Sequence, residues 1–328
     1  MGWVIFLHNQ KLCSKPISVY YGLKIFLKEE FIMGAVNYAQ SYEKALAQAY
    51  PNVLNFGELY NVANNQTYKF IDSKTIHIPS ISVSGRTNVN RDVMNGSFQR
   101  NVDNDWETKT LSFYREWSTS IDPADVMDTN MVLTIQNATK VFNETQKFPE
   151  KDAYTISKIY ADWTAEGKTA NTTALTVDSV LAVFDKLMED MDEALVPSTG
   201  RILYVTPAVK TLLKQAANIT LYKDVAAQAN INRVVDRLDE VKLVTVPSFL
   251  MKTAYTFSTG FTPSASAKQV NMFLVHPSAI LTPNKYAFVG MEAPAAGTKG
   301  DYIYYEKEYA DVFILNNRTG AIAFNVTP

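Results

Sequence analysis

A mixed α+β fold is what the sequence predicts, and three stretches carry the expectation. The last of them, Asp301 to Val326, reads DYIYYEKEYADVFILNNRTGAIAFNV. Its aromatic and β-branched residues favour extended strands over helix, and Asn316, Asn317 and Gly320 punctuate it as a turn does. A second stretch opens on DPAD at Asp122 and repeats apolar residues at helical spacing. The third, Val177 to Val275, alternates helical stripes with short strands, the pattern of a compact α/β body.

In chain order, Tyr42, Ala45, Leu46 and Ala49 give a short helix ended by Pro51. Asn52 to Phe70 has no sustained period and little of its own to fold around. Lys74 to Val83 sets Ile76, Ile78 and Ser80 against His77, Pro79 and Ile81, a strand that Pro79 marks as an edge. A polar run, Ser84 to Asp105, separates it from Trp106 to Ile121, which resumes extended character with Leu111, Phe113 and Arg115 opposite Ser112 and Tyr114. Together these predict a long hairpin with a polar tip. Ordering it costs about 1–2 kcal/mol per residue in backbone entropy, which its few apolar side chains do not offset on an isolated monomer. It is therefore expected to lie on the body or on a neighbour.

Asp122 caps the next helix, with Pro123 at its first position and Asp125 facing the positive end of the dipole. Met127, Met131, Ile135, Ala138 and Phe142 carry it to about Gln146, and Pro149 is expected to break it. A second helix with Ala153, Ile156, Tyr160 and Trp163 runs to Gly167. Beyond a polar linker, Val177, Val180, Leu181, Phe184, Leu187, Met188, Met191 and Leu195 form a wide amphipathic stripe. A strand at Ile202 to Val205, a helix capped by Thr206, two strands around Leu238-Asp239-Glu240 and a strand at Phe273 to Val275 follow. Pro294 to Gly300 reads as a loop. In the tail Ile322, Phe324 and Val326 alternate with Ala321, Ala323 and Asn325, so two strands forming a hairpin, one face buried, should complete a sheet begun much earlier.

At 328 residues and 47% hydrophobic content the chain suffices for two domains or one elaborated domain. A formal charge of -2 and a pI near 6.0 give no general attraction to nucleic acid or anionic membrane. The single cysteine, Cys13, excludes an internal disulfide framework. Sequons such as Asn137-Ala-Thr139 arise by chance in an Asn- and Thr-rich chain. Trp3 to Leu7 is too short for a signal-peptide core, and Lys11, Lys15, Lys24 and Lys28 interrupt any membrane span.

The tail, with FPEKDAY (Phe148 to Tyr154), VTVPSFLM (Val244 to Met251) and VNMFLVHPSAI (Val270 to Ile280), resembles the major capsid proteins of tailed bacteriophages that share the HK97 fold. The resemblance runs collinearly from about Met33 to Pro328, and MGAVNYAQSYEKALAQAY from Met33 is similar to the usual start of these proteins. It implies an N-terminal arm over 33–70, lying on neighbouring subunits, and a projecting hairpin, the E-loop, over 71–121. It further implies a peripheral domain with a long spine helix over 122–168, an α/β axial domain over 169–299, and peripheral C-terminal strands over 300–328. Residues 1–32 are expected to be an upstream-start extension or to be absent from the particle.

The function implied is structural: hexamers and pentamers assembling into an icosahedral head around double-stranded DNA bound without sequence specificity, in the virion and, during assembly, the host cytoplasm. Further copies, a portal and a scaffolding protein are the implied partners, with a decoration protein left open. No enzyme activity, cofactor or metal is expected. Arg86, Arg91, Arg100, Asp103 and Trp106, with Asp92 and Asp105, are the candidate inter-subunit contacts, a mixed-charge segment suited to setting register. One alternative of similar build is an encapsulin-type compartment shell; another, from a different class, is an α/β enzyme using His276.

Candidate chemistry is sparse. Of three histidines, His8 lies in the extension and His77 on the edge strand, while His276 lacks a G-x-S-x-G elbow or acidic partner motif, so a histidine satisfying backbone groups before a proline is the preferred reading. Asp185, Glu189 and Glu193 share one helix face but read as solvated. Gly297-Thr298-Lys299 lacks phosphate-loop spacing. Tyr302, Tyr304, Tyr305 and Tyr309 have no basic stripe beside them, which favours packing over base stacking.

Overall fold

The structure is a computed structural model, and it describes residues 52–66, 68–72, 74–86, 102–128, 134–216 and 237–328. The expected helix over Tyr42 to Tyr50 and the extension 1–32 lie outside them. Helix α1, Gly57–Tyr60, comes first, followed by a 3-10 turn at Ala63–Gln66. The segment Asn52 to Phe70, read as having little of its own to fold around, is held by the body instead. Phe56 and Leu59 are fully buried in the body's core. Asp152 accepts the backbone N–H groups of Asn55 at 2.9 Å and Phe56 at 3.1 Å. Two large apolar groups three residues apart hold the segment, a spacing too brief to register as a period.

Strands β1 (Lys69–Phe70), β2 (Thr75–Val83) and β3 (Val102–Thr110) form an antiparallel sheet in that order. β2 and β3 pair over their whole length, from Thr75 opposite Thr110 to Val83 opposite Val102. Pro79 lies beyond the reach of β1, on the open side of β2, where a missing N–H is tolerated. The run Trp106 to Ile121 is extended as expected, but it divides between two sheets. The Leu111 N–H donates to Lys74 O at 2.7 Å, closing the hairpin, and the Ser112 N–H donates to the Asp311 carboxylate at 2.6 Å. The chain then enters β4 (Phe113–Ile121), which belongs to a different sheet.

Asp122 accepts the Ala124 N–H at 2.8 Å at the start of α2, Pro123–Asp128. The single helix expected to Gln146 is in fact interrupted. Thr134 is extended, and its hydroxyl caps α3 (Ile135–Phe142) by accepting the Asn137 N–H. From there the chain stays helical for 31 residues, through a π-turn at Asn143–Lys147 into α4 (Phe148–Ala165). Pro149 therefore does not break the helix. The wider π-turn just before it moves the hydrogen-bond register from i−4 to i−5 and leaves room for the ring. Gly167, at φ +77, ends α4 in the left-handed conformation.

α5 (Val180–Glu193) buries Val180, Phe184, Leu187 and Met191, but the helix stops short of Leu195, which is 91% exposed. β5 (Ile202–Val205), α6 (Pro207–Gln215), β6 (Arg237–Leu238) and β7 (Val241–Thr245) follow as expected. After them come β8 (Tyr255–Thr256), β9 (Thr262–Pro263), β10 (Val270–Val275) and β11 (Ile280–Leu281). β12 (Asn284–Glu292), β13 (Tyr302–Ala310), β14 (Phe313–Ile314) and β15 (Ile322–Val326) complete the chain. Helix α6 starts after Thr206 as read, although its side chain makes no capping bond.

The central sheet runs β15-β10-β5-β7-β6, with only β5 and β7 parallel. Ile202, Tyr204, Phe273, Val275 and Phe324 face α4, while Leu203, Val205, Met272 and Leu274 face α5 and α6. Both faces are thus covered. Phe273 stacks on Phe324 with centroids 4.6 Å apart and on Tyr204 at 5.6 Å, a ladder across three strands; burying one such ring contributes about 1.5–3 kcal/mol.

The tail is not a hairpin. β13 pairs with β12 and β4, β14 pairs with β11, and β15 closes the central sheet against β10. β15 is buried on both faces rather than one, because helices cover the sheet on both sides. Even Asn325 is fully buried, its amide donating to Asn171 Oδ1 and Thr173 O. The tail does complete a sheet begun much earlier, and it closes the core.

Candidate functional site

The β2–β3 hairpin is anchored at its base, and beyond it the apolar side chains among the described residues are exposed. Ile76, Ile78 and Leu111 pack with Leu281 and Phe313 in a small core of their own. Lys109 Nζ donates to Asn316 Oδ1 at 2.7 Å and pairs with Glu107 at 2.9 Å, fastening β3 to the turn before β15. Asp72 accepts the backbone N–H groups of Lys74 and Thr75, which hold its carboxyl below the ordinary value. Farther out the apolar side chains meet solvent: Ile81 is 68%, Val83 72%, Val102 50% and Trp106 50% exposed. These four are the residues a partner would cover.

Of the candidate contacts, Arg86 is exposed just past the end of β2, and Asp103 lies on β3 opposite Ser82. Trp106 stands opposite Pro79, its ring 6.1 Å from that of His77. The carboxylates of Asp103 and Asp105 each accept only the next backbone N–H among the described residues, from Asn104 and Trp106. Arg91, Asp92 and Arg100 lie outside the described residues.

Sequence reasoning missed β12, because NKYAFVGME has apolar residues at both parities and so shows no alternation. Its flanking prolines, Pro283 and Pro294, were the available signal. β12 is the edge of the sheet β12-β13-β4, and Tyr286, Phe288, Val289 and Met291 are all strongly exposed on it. At its start a groove of about 570 Å³ opens against the hairpin base, lined by Lys74, Leu111, Tyr114, Lys285, Tyr286 and Tyr309. Tyr309 is fixed by donating to Leu111 O at 3.0 Å and packs edge-on against Tyr114, while Lys285 lies over the Phe70 ring at 4.3 Å.

A second cleft, of about 410 Å³, separates this sheet from the long helix. Its charges are paired across the gap: Arg115 with Glu150 at 2.5 Å, Lys147 with Glu306 at 3.1 Å, and Lys151 with Glu308 at 2.6 Å. Burial pushes the Glu150 carboxyl up, and Arg115 opposes that shift. The arrangement joins two elements.

His276 has the local role read for it. Its Nδ1 meets the Ser278 hydroxyl at 2.7 Å, and its Nε2 faces Thr199 O at 3.2 Å. Burial lowers its pKa, and the cations of Arg201 and Arg318 add to that effect. Asp185, Glu189 and Glu193 lie on an exposed face of α5, with Glu189 paired to Lys186. Tyr304 packs against Trp117, which itself stacks on Phe142 at 3.9 Å, so this tyrosine serves packing. No helix among the described residues is long and apolar enough to cross a membrane.

The geometry is that of a two-sided body carrying a nine-pair hairpin with an uncovered outer half. Several solved structures that share this fold come from phages. A chain from Mycobacterium phage Che8 matches with a TM-score of 0.60 at 12% identity, over 88% of this chain and 96% of that one. A chain of the capsid of cyanophage P-SCSP1u gives 0.59 at 13%, over 89% and 93%. One from the mature capsid of bacteriophage PhiM1 gives 0.57 at 15%, over 88% and 91%. No family model matches the chain, and no curated protein matches it by sequence. What is shared is the fold, a mixed α+β fold found in phage capsids, and at that level the resemblance read from the sequence is borne out.

Proposed function

We propose that this chain is the major capsid protein of a tailed bacteriophage, a structural protein rather than an enzyme, which self-assembles through hexamers and pentamers into an icosahedral head. The observation that carries the reading is the hairpin. Its outer half exposes Ile81, Val83, Val102 and Trp106 among the described residues, on a fold also found in phage capsids. Uncovered apolar area of this kind supplies association energy once a neighbour buries it, on the scale of obligate interfaces.

In this reading the E-loop is the part of 71–121 that closes at Leu111, 122–168 carry the spine helix, and 169–299 hold the axial domain except β12, which joins β13 and β4 in the peripheral sheet while β15, from 300–328, closes the central one. The arm is confined to the part of 33–70 ahead of Asn55, since Asn55 to Asn65 bond to their own body. Arg86, Arg91, Arg100, Asp103 and Trp106 form inter-subunit contacts. A portal, a scaffolding protein and packaged double-stranded DNA are the further partners, the DNA held without sequence specificity by a chain of formal charge -2. The protein resides in the virion, and in the host cytoplasm while heads assemble.

Negative-stain microscopy of the expressed chain tests this. Closed shells or capsomer-like rings are expected; dispersed monomers at high concentration contradict it.

A further inference from the structure

In the sequence the tyrosines of the tail have no basic stripe beside them; in the fold they do. From that juxtaposition we infer that the open face of the sheet β12-β13-β4 binds single-stranded nucleic acid, stacking bases on its aromatic rings and holding phosphates with Lys74, Lys285 and Lys307. The inference goes beyond the capsid reading and does not depend on it. Residues directly opposite each other on neighbouring strands share a face. Tyr286, Tyr309 and Tyr114 therefore form one row across the three strands, Phe288, Lys307 and Glu116 the next, and Gly290, Tyr305 and Ser118 a third. The tyrosine run of β13 thus divides, with Tyr305 and Tyr309 on this face and Tyr304 packed against Trp117 on the other. The rows span about 13 Å along the strands, a length over which aromatic residues of a sheet stack two or three bases.

The rings are accessible. Tyr114, Tyr286 and Phe288 are each about half exposed. The far end of the Phe288 ring lies over Gly290, where an added Cβ would meet it at 2.9 Å, so the glycine leaves the ring room along the sheet. The cations come from three separate places in the chain. Lys74 and Lys285 line the groove beside the first row, with Tyr114, Tyr286 and Tyr309 as walls and no acid in the lining. Lys307 stands in the second row, its Nζ 4.9 Å from the centre of the Tyr114 ring and 5.8 Å from that of Tyr305. Two acids face these lysines. Asp72 is close enough to act on Lys285, but its carboxylate accepts from the backbone of Lys74 and Thr75 and from the Thr75 hydroxyl. Glu116, largely exposed, lies 3.6 Å from Lys307 and accepts the Tyr305 hydroxyl at 3.0 Å. The balance of three cations against these two acids stays positive. Aromatic faces interleaved with lysines are what sequence-tolerant single-strand binders combine. A duplex keeps its bases stacked on one another, so it offers phosphates to the lysines and nothing to the rings.

Fluorescence anisotropy of a labelled oligothymidylate of about ten nucleotides, titrated at low salt with the full chain as dispersed subunits, tests this. Saturable binding is expected, with log K falling against log salt at a slope of about −2, the value for three phosphates neutralised on a single strand. K74A/K285A should reduce that slope to about −0.7. Y286A should weaken binding about fivefold or more while leaving the slope in place. E116Q, which removes an acid beside Lys307, should tighten it. A duplex of the same length should bind at least about tenfold more weakly than the single strand. The substituted side chains are exposed, and thermal unfolding confirms that each variant folds as the unaltered chain does. No saturation, equal binding of the duplex, or an affinity that any of the three variants leaves unmoved overturns the inference. None of these results touches the capsid reading, which microscopy of particles decides.

Discussion

Asp152 is fully buried on α4, where it accepts hydrogen bonds from the backbone of Asn55 and Phe56 and from the Asn55 side chain. Burial pushes its carboxyl from 3.8 up to about 6, against the pull of those donors. The folded state therefore holds this proton more tightly than the unfolded one. The stability it contributes is present in full below about pH 3.8 and is lost as pH rises to about 6. Relative to Asp152→Asn, the unaltered chain should lose on the order of 3 kcal/mol across that window in urea unfolding. An unaltered chain that gains stability over Asp152→Asn as pH rises would contradict the assignment. Nothing in the sequence distinguishes Asp152 from the other acids on exposed helix faces, because its role is set by a segment almost a hundred residues away. His276 was readable, since its partner Ser278 is two residues on and the following proline fixes the turn.

At the scale of elements, what periodicity revealed and what it hid have a physical logic. The hairpin strand from Thr75 and the stripe of α5 are each buried on one side, so their alternation survives in the sequence. β15 is covered by helices on both faces, and only its small residues suggested an exposed side. β12 is exposed on both faces and equally patternless. Pro149 misled for a different reason: its helix-breaking effect is local, and the π-turn one step earlier absorbs it. Pro149→Ala should accordingly change stability by less than about 1 kcal/mol, far short of the roughly 3 kcal/mol gained where a proline interrupts an i−4 ladder. Denaturant titration decides it, and a gain near the larger figure would show the helix to be strained at that point.

Across the whole molecule, the body is self-sufficient and the outer hairpin is not. The central sheet has a core on each face, Phe56 and Leu59 fill the remaining gap beside α4, and the charged cleft is paired across its width. The resemblance gave the mixed α+β fold, while the placement of residues 55–66 on their own body came only with Phe56, Leu59 and Asp152 seen together. On the capsid function proposed above, such a division puts stability in one region and association in another. Hydrogen exchange of residues 75–110, followed in the free chain and again in purified particles, measures it directly. The account predicts slow exchange at the hairpin base in both states, with fast exchange beyond Ile81 that becomes protected on assembly. Protection of the outer hairpin already complete in the free chain would contradict it.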